Sequence, residues 1–332
     1  MMATAMVKTF RFVVILLSKW AEKCPGEQER SSGQFLPFER RITTKRKVLT
    51  IAVAIITFLL ALGITLYPII SSRYNEKHQS EIHVSYQEQM EQADTSAIGE
   101  ARELAVQYNQ AILEGVKEDA YDHEALLWAS EDYKHQLNIT GNGIMGYVEI
   151  PKIKVTLPIY HGTDDATLEK GVGHLLGSSL PVGGESTHTV LTAHSGMASQ
   201  RMFSDLDLLK TGDVFYLDVL GERMAYQVDQ IKTVLPYDTT YLGILGGEDH
   251  CTLVTCTPFG VNTHRLLVRG VRIPYEEAEV IVEETTPEEL PESTWEQEYM
   301  NGIYIAIGIV VLIGLIALAV WLYQRYHNEG MA

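Results

Sequence analysis

The hydrophobic positions of this chain follow one pattern near its ends and another in its middle. Residues 48–70 and residues 302–322 form runs of 23 and 21 residues without a charged side chain. A helix needs about 20 residues to cross a hydrocarbon core of about 30 Å. Each run therefore predicts a transmembrane helix, and the polar segment between them predicts a folded domain.

The region of residues 74–145 begins with a helical pattern. Apolar residues recur at helical spacing within residues 101–112, which predicts a helix that packs its apolar stripe against the main domain. Residues 117–137 have weak periodicity and one apolar cluster, at 126–128. We expect a loop or a loosely packed segment there.

From Gly146 onwards the pattern changes to the alternation that is typical of strands. Gly-rich or Asp-rich turns separate the runs, which favours a closed or sandwich β-fold over residues 146–275. The predicted strands lie within residues 147–160, 189–194, 214–219, 224–231, 251–256 and 265–273.

An acidic stretch follows the last predicted strand. Residues 276–298 contain ten glutamates together with Thr and Pro. This composition predicts that residues 276–301 form a linker between the β-domain and the second membrane run.

Charge predicts the orientation in the membrane. Five Lys and Arg residues lie within residues 40–47, and Arg325 follows the second run. The positive-inside rule then places the tails 1–47 and 323–332 in the cytoplasm and residues 75–300 outside the cell. The outer segment has 14 Lys and Arg against 38 Asp and Glu, which argues against nucleic-acid binding.

The three cysteines do not suggest a disulfide framework. Cys24 lies in the predicted cytoplasmic tail, and Cys251 and Cys256 are five residues apart on one predicted strand. This odd separation points the two side chains to opposite faces. We expect Cys251 to fill the core. Cys256 ends its strand just before Pro258 and is the candidate nucleophile.

Two further residues at predicted strand ends complete a candidate thiol site. The attacking species is the thiolate, and the imidazole of His194 is the candidate that takes the thiol proton and later protonates the leaving amine. Arg265 opens the next strand and carries donors suited to an oxyanion or a substrate backbone. A surface salt bridge is the alternative role for Arg265, and the expected role for Arg269 and Arg272.

Other chemical motifs are lacking in the sequence. It contains no phosphate-binding loop, no Cys/His cluster with metal-ligand spacing and no Gly-x-Ser-x-Gly elbow. Five more histidines are expected at the surface or in packing: His161, His174, His188, His250 and His264.

Several motifs together resemble the sortases, membrane-anchored cysteine transpeptidases of Gram-positive bacteria. The general ones are the Thr252–Pro258 run around Cys256, the Thr-Ala-His194 strand end, and Arg265 nine residues after the cysteine. Three longer segments are similar to class C, the pilin polymerases: residues 143–153, 202–216 and 262–270. The second membrane run also fits that class.

The resemblance implies a mainly β fold, an eight-stranded sortase-type β-barrel with N-terminal helices, flanked by the two transmembrane helices. It implies that Cys256 cleaves a Leu-Pro-x-Thr-Gly-like sorting signal between Thr and Gly and forms a thioacyl enzyme. A lysine amine of a pilin subunit then resolves this intermediate. His194 and Arg265 inherit the acid/base and stabilising roles, and no cofactor is implied.

The sequence departs from class C at the lid. Enzymes of that class usually carry an Asp-Pro-aromatic anchor over the cysteine, and no such tripeptide occurs between Tyr108 and Gly146. Trp128, with Glu131 or Asp132 nearby, is the candidate substitute. An absent lid, or one tethered differently, is the alternative.

Three other functions compete with pilin polymerisation. A sortase that uses a peptidoglycan amine as acceptor keeps the chemistry and changes the product. An inactive binding or assembly scaffold needs no Cys256 thiol. In a papain-type protease the nucleophile normally precedes its histidine, whereas here His194 comes first.

Overall fold

The computed structural model describes residues 82–118, 133–195, 197, 200–285 and 301–308, with isolated positions between 56 and 79 and residue 314. The chain divides into two compact units, Met1–Ala61 and Leu62–Ala332. The fold described below lies in the second unit.

None of the helices in these described ranges is both long and apolar enough to span a membrane. The predicted transmembrane helices at 48–70 and 302–322 fall largely outside the described residues, and the predicted tails 1–47 and 323–332 fall wholly outside them. All four stay predictions.

Eight strands form a closed barrel, which confirms the barrel expected from the sequence. Going round the barrel, the order is β1-β2-β3-β4-β7-β8-β6-β5, and β5 pairs with β1 to close it. The strands are β1 (Ile144–Ile150), β2 (Val155–His161), β3 (Val172–His174), β4 (Thr187–Thr192), β5 (Val214–Val219), β6 (Glu222–Val234), β7 (Asp249–Thr257) and β8 (His264–Ile273).

Most neighbouring strands are antiparallel, but two pairs are parallel: β2 with β3, and β4 with β7. The parallel β4–β7 pair sets Thr192 opposite Val254, so both strands run towards the same end of the barrel. Together with the antiparallel β7–β8 pair, it brings the end of β4, the end of β7 and the start of β8 to that end of the barrel.

Alternation along β7 places residues on two different faces, as period-two patterning predicts. Cys251 and Leu253 belong to the main core of the barrel. Val254 instead packs in a smaller apolar cluster with Val190, Val234 and Leu267, and the β6–β7 loop adds Leu242 to this cluster. Both faces of β7 are therefore buried over most of its length.

Two helices that precede β1 in the sequence pack against the barrel. Residues 82–92 are helical (α1) and contribute Tyr86 and Met90 to a cluster with β1. Helix α2 (Thr95–Glu118) contributes Ala105 and Tyr108 to the main core. Helix α2 confirms the helix predicted over residues 101–112. Two further helices in the described residues are the short α3 (Asp165–Leu168) and α4 (Tyr275–Thr285), with 3-10 turns at Pro151–Ile153 and Leu206–Leu208. Residues 301–308 are also helical.

The first third of the predicted acidic linker is a helix instead. Ala278 of α4 is fully buried against the β5 residues Val214 and Tyr216, and Ile281 and Val282 pack beside it. Three apolar residues at helical spacing therefore dock α4 on the barrel, while its glutamates face outwards. Residues 286–300 lie outside the described residues.

The end of segment 117–137, which the sequence predicts to be a loop or loosely packed, makes buried contacts with the barrel. Tyr133 and Leu137 are 3% and 2% exposed and belong to the main core. The Tyr133 hydroxyl lies 2.8 Å from Nδ1 of His174 and accepts a hydrogen bond from the Gly162 amide at 3.0 Å. Two buried side chains thus fix residues 133–137 to the barrel.

Candidate active site

The three residues expected at strand ends lie on three adjacent strands. Cys256 is the last but one residue of β7, Arg265 is the second residue of β8, and His194 follows the end of β4 by two residues. Since β4, β7 and β8 are consecutive in the barrel, the structure brings all three to one end of it.

Cys256 and Arg265 are directly opposite each other in the antiparallel β7–β8 pair. Residues that face each other in this way project to the same side of a sheet, with Cβ atoms about 4.5–5.5 Å apart. Arg265 is also opposite Val234 on its other side. The Arg265 side chain therefore leaves the backbone directly opposite Cys256 and on the same side of the sheet as the thiol.

His194 flanks Cys256 on the opposite side. The parallel register of β4 and β7 continues past Thr192, because the Ala193 amide donates to the Val254 carbonyl at 3.1 Å. One residue beyond His194, the Ser195 hydroxyl donates to the Cys256 carbonyl at 2.7 Å. His194, Cys256 and Arg265 thus follow one another across the sheet.

The site is partly open to solvent. Cys256, His194 and Arg265 are all half-buried. Cys251, by contrast, is fully buried, and burial raises the pKa of its thiol well above the usual value. Only the thiolate is nucleophilic. The buried Cys251 is therefore a packing residue, and Cys256, at the partly exposed end of β7, is the candidate nucleophile.

Arg265 is held by backbone carbonyls. Its Nη1 donates to the carbonyls of His264 and Asn262, at 3.0 and 3.3 Å. Within the described ranges no ion pair involves Arg265, whereas Arg269 pairs with Asp229 and Arg272 approaches Glu222. The last two arginines have the salt-bridge role expected of them.

Exposed apolar side chains lie in the two loops that adjoin this end of the sheet. Leu235 and Tyr237 of the β6–β7 loop are 61% and 95% exposed, and Val261 of the β7–β8 loop is 64% exposed. The first loop follows Val234, which neighbours Arg265, and the second begins just after Cys256. Exposed apolar side chains that lie in neighbouring loops can mark an interaction site.

Two of the other histidines, His174 and His188, are deeply buried. Burial lowers the pKa of His174 and of His188 to about 4. His188 Nδ1 lies 2.8 Å from the Gly243 carbonyl, and its Nε2 lies 2.7 Å from the Thr252 hydroxyl. Since a carbonyl only accepts, Nδ1 carries the proton and the Thr252 hydroxyl donates to Nε2. His188 therefore ties the β6–β7 loop to β7.

The structure adds Ser195 and Thr255 to the residues that the sequence predicts for the site. Each is a hydroxyl residue next to a candidate catalytic residue, and that adjacency is the signal available in the sequence. Trp128, the candidate lid residue, lies outside the described residues. No cluster of three or more His, Cys, Asp or Glu side chains is placed to hold a metal in the part of the chain that the structure describes.

Comparison with known proteins agrees with this fold. The sortase domain family matches residues 148–273. Sortase C1 of Streptococcus agalactiae is 46% identical, and the match covers 58% of this chain and 98% of that one with a TM-score of 0.53. Sortase C of Streptococcus pneumoniae, which has pilin substrate specificity, is 44% identical over 59% of this chain and 97% of that one, with a TM-score of 0.52.

A curated relative extends the comparison beyond this class. Sortase D of Bacillus subtilis (strain 168) is 34% identical over 131 residues, which are 39% of this chain and 63% of that protein. The chain therefore spans less than two thirds of this relative. It belongs to the sortase family, whose members are cysteine transpeptidases, and it resembles the class C sortases.

Proposed function

We propose that this protein is a pilin-polymerising transpeptidase. It cleaves a Leu-Pro-x-Thr-Gly-like sorting signal and joins the new carboxyl end to a lysine amine of a pilin subunit. The observation that carries the proposal is the direct pairing of Cys256 with Arg265 on β7 and β8, with His194 on the other side of the cysteine.

The first half of the reaction forms a thioester. The Cys256 thiolate attacks the threonine carbonyl of the sorting signal, and the new S–C bond creates a tetrahedral oxyanion. The C–N bond to glycine then breaks as the His194 imidazolium gives its proton to the leaving amine. Threonine remains bound to Cys256 as a thioacyl group.

Arg265 stabilises the charge that develops in this step. Its side chain starts from the position directly opposite Cys256, and two backbone carbonyls orient the guanidinium. A guanidinium stays protonated and offers several donors, so it suits an oxyanion or a substrate carbonyl.

The second half of the reaction forms an isopeptide bond. A lysine amine of the next pilin attacks the thioester carbonyl, the S–C bond breaks, and His194 accepts the proton that the amine loses. The thiolate of Cys256 is regenerated, so the cycle balances without an external oxidant or cofactor. The pilin specificity of the pneumococcal relative supports this acceptor.

Anchoring in the cell membrane completes the proposal. The two uncharged runs at 48–70 and 302–322 are each long enough to span a bilayer. With both tails inside, the barrel is outside the cell, where surface proteins with sorting signals are found.

The test uses the full chain in detergent micelles with two purified pilin proteins, one with the sorting signal and one with acceptor lysines. The expected product is a ladder that survives boiling in detergent and contains Lys–Thr isopeptide bonds by mass spectrometry. Cys256→Ala should abolish the ladder, whereas Cys251→Ala should retain it as the matched thiol control.

Two outcomes would overturn the proposal in different ways. Transfer of the signal only to a peptidoglycan amine would keep the transpeptidase chemistry and replace the acceptor. A ladder that forms equally well with Cys256→Ala would remove Cys256 from its role and point to another nucleophile. No cleavage of any sorting-signal peptide by the full chain would favour an inactive scaffold.

A further inference from the structure

Strand β4 ends at Thr192, two residues before His194. The last main-chain bond of the β4–β7 pair runs from the Ala193 amide to the Val254 carbonyl, at 3.1 Å. Beyond this point, side-chain hydroxyls link the two segments.

Two hydroxyls make these links, and they bracket the two reacting residues. The Thr255 hydroxyl donates to the Ala193 carbonyl at 2.9 Å, and the Ser195 hydroxyl donates to the Cys256 carbonyl at 2.7 Å. Thr255 and Ser195 are the immediate neighbours of Cys256 and His194. Each bond therefore joins a residue of the histidine segment to a residue of the cysteine strand.

A third hydrogen bond holds the segment that contains His194. The amide of Phe203, a fully buried core residue, donates to the His194 carbonyl at 3.1 Å. Thr255 is itself only 3% exposed, so its hydroxyl is shielded from competing water. The backbone around His194 is thus fixed at two successive carbonyls.

We propose that Ser195 and Thr255 are positioning residues that set the imidazole of His194 at its working distance from the Cys256 thiol. This inference rests on the proposed roles of His194 and Cys256. Neither hydroxyl contacts the substrate in this proposal. They act through the backbone, replacing the ladder hydrogen bonds that are lost where β4 turns away.

The expected kinetic effect is on the chemical step. Misplacing a catalytic group by about 1 Å costs on the order of 100-fold in rate, so Ser195→Ala and Thr255→Val should each lower kcat by about 10- to 100-fold. KM should change less than about threefold, because the apolar loops that receive the substrate are untouched. Thr255→Ser keeps the hydroxyl and should restore most of kcat.

Thr189→Val is the matched control. Thr189 also lies on β4, is 1% exposed, and donates its hydroxyl to a backbone carbonyl, that of Leu180 at 3.4 Å. It is opposite Cys251, at the far end of the strand pair from the site. Its substitution should alter thermal stability but leave kcat unchanged, which separates positioning from a general loss of packing.

A measurement without pilin tests the inference independently of the proposed function. The rate of iodoacetamide alkylation at Cys256 is measured for the full-length protein, for His194→Ala, for Ser195→Ala and for the double variant. In the parent protein, His194→Ala should change the alkylation rate of Cys256 by a certain factor. In the Ser195→Ala background, the factor produced by the same substitution should be at least threefold smaller. Such non-additivity is the signature of coupled residues.

Each outcome decides the inference. Equal factors in the two backgrounds, or failure of Thr255→Ser to restore the rate that Thr255→Val loses, would overturn it. If the double-mutant cycle shows coupling but the protein joins no pilins, the positioning role is retained and the proposed function is rejected.

Discussion

Cys251 and Cys256 lie five residues apart on β7 and point to opposite faces of the same strand. Cys251 is fully buried in the barrel core, and Cys256 is half-buried at the end of the strand. A single strand therefore carries one thiol for packing and one within reach of solvent.

This arrangement predicts selective alkylation. Iodoacetamide should modify Cys256 in the native protein and leave Cys251 unmodified until the barrel unfolds, because burial raises the pKa of the Cys251 thiol and shields it. Peptide mapping by mass spectrometry, with and without urea, measures both sites. Equal labelling of the two thiols in the native protein would contradict the fold described here.

Arg265 and Arg269 give a comparison within one strand. Arg265→Ala should lower kcat by about 100- to 1,000-fold, as the loss of an oxyanion donor does, and Arg265→Lys should recover only part of it because an ammonium lacks the planar fork. Arg269 pairs with Asp229 through Nε at 3.1 Å. Arg269→Ala should leave kcat within about twofold. Similar losses in both variants would point to a structural role for Arg265.

Lys152 and Asp213 form a shielded ion pair. Their side chains are 16% and 6% exposed, and Nζ lies 2.6 and 2.8 Å from the two carboxylate oxygens. Lys152→Met would leave the carboxylate buried without its cation, which costs about 3 kcal/mol of unfolding free energy. Urea denaturation measures the loss.

The control for this pair is Arg102 with Glu222, whose side chains are 44% and 40% exposed. Arg102→Met should cost less than about 1 kcal/mol, as exposed ion pairs do. Equal costs for the two substitutions would mean that solvent reaches the Lys152–Asp213 pair.

Two buried histidines predict a loss of stability in mild acid. The folded-state pKa of His174 and of His188 is about 4, below the ordinary 6.5, because burial disfavours the charged ring. Between pH 6.5 and 4 the unfolded chain binds more protons, so the stability present above pH 6.5 falls as the pH drops. Each residue contributes on the order of 3 kcal/mol to this fall.

Denaturation at a series of pH values checks this. His188→Gln should flatten the curve between pH 6.5 and 4, since glutamine does not titrate. A parent protein with constant stability across this window would contradict the burial of these rings.

Much of the site was predictable because strand ends leave a signal in the sequence. Alternation stops at Cys256, Pro258 follows it, and the next alternating run opens on Arg265. These features locate the end of β7 and the start of β8, and an antiparallel return between neighbouring strands is common. The placement of His194 needs the parallel pairing of β4 with β7, which no local pattern encodes.

Other elements could not be predicted for identifiable physical reasons. Strand β3 has only three residues, Val172–His174, which is too short for period two to be recognised. The many glutamates of α4 obscured the apolar stripe of Ala278, Ile281 and Val282. Tyr133 is buried because its hydroxyl has partners on distant β-strands, and such partners are visible only in three dimensions.

The parallel β4–β7 pairing has a consequence for newly made chains. It joins residues 61 positions apart, such as Ser195 and Cys256, and Arg265 belongs to the final strand of the barrel. Contacts across such long chain separations form late in folding. An unfinished polypeptide therefore lacks the β4–β7 and β7–β8 contacts that set Cys256 opposite Arg265 and near His194. The candidate site forms only when the barrel closes.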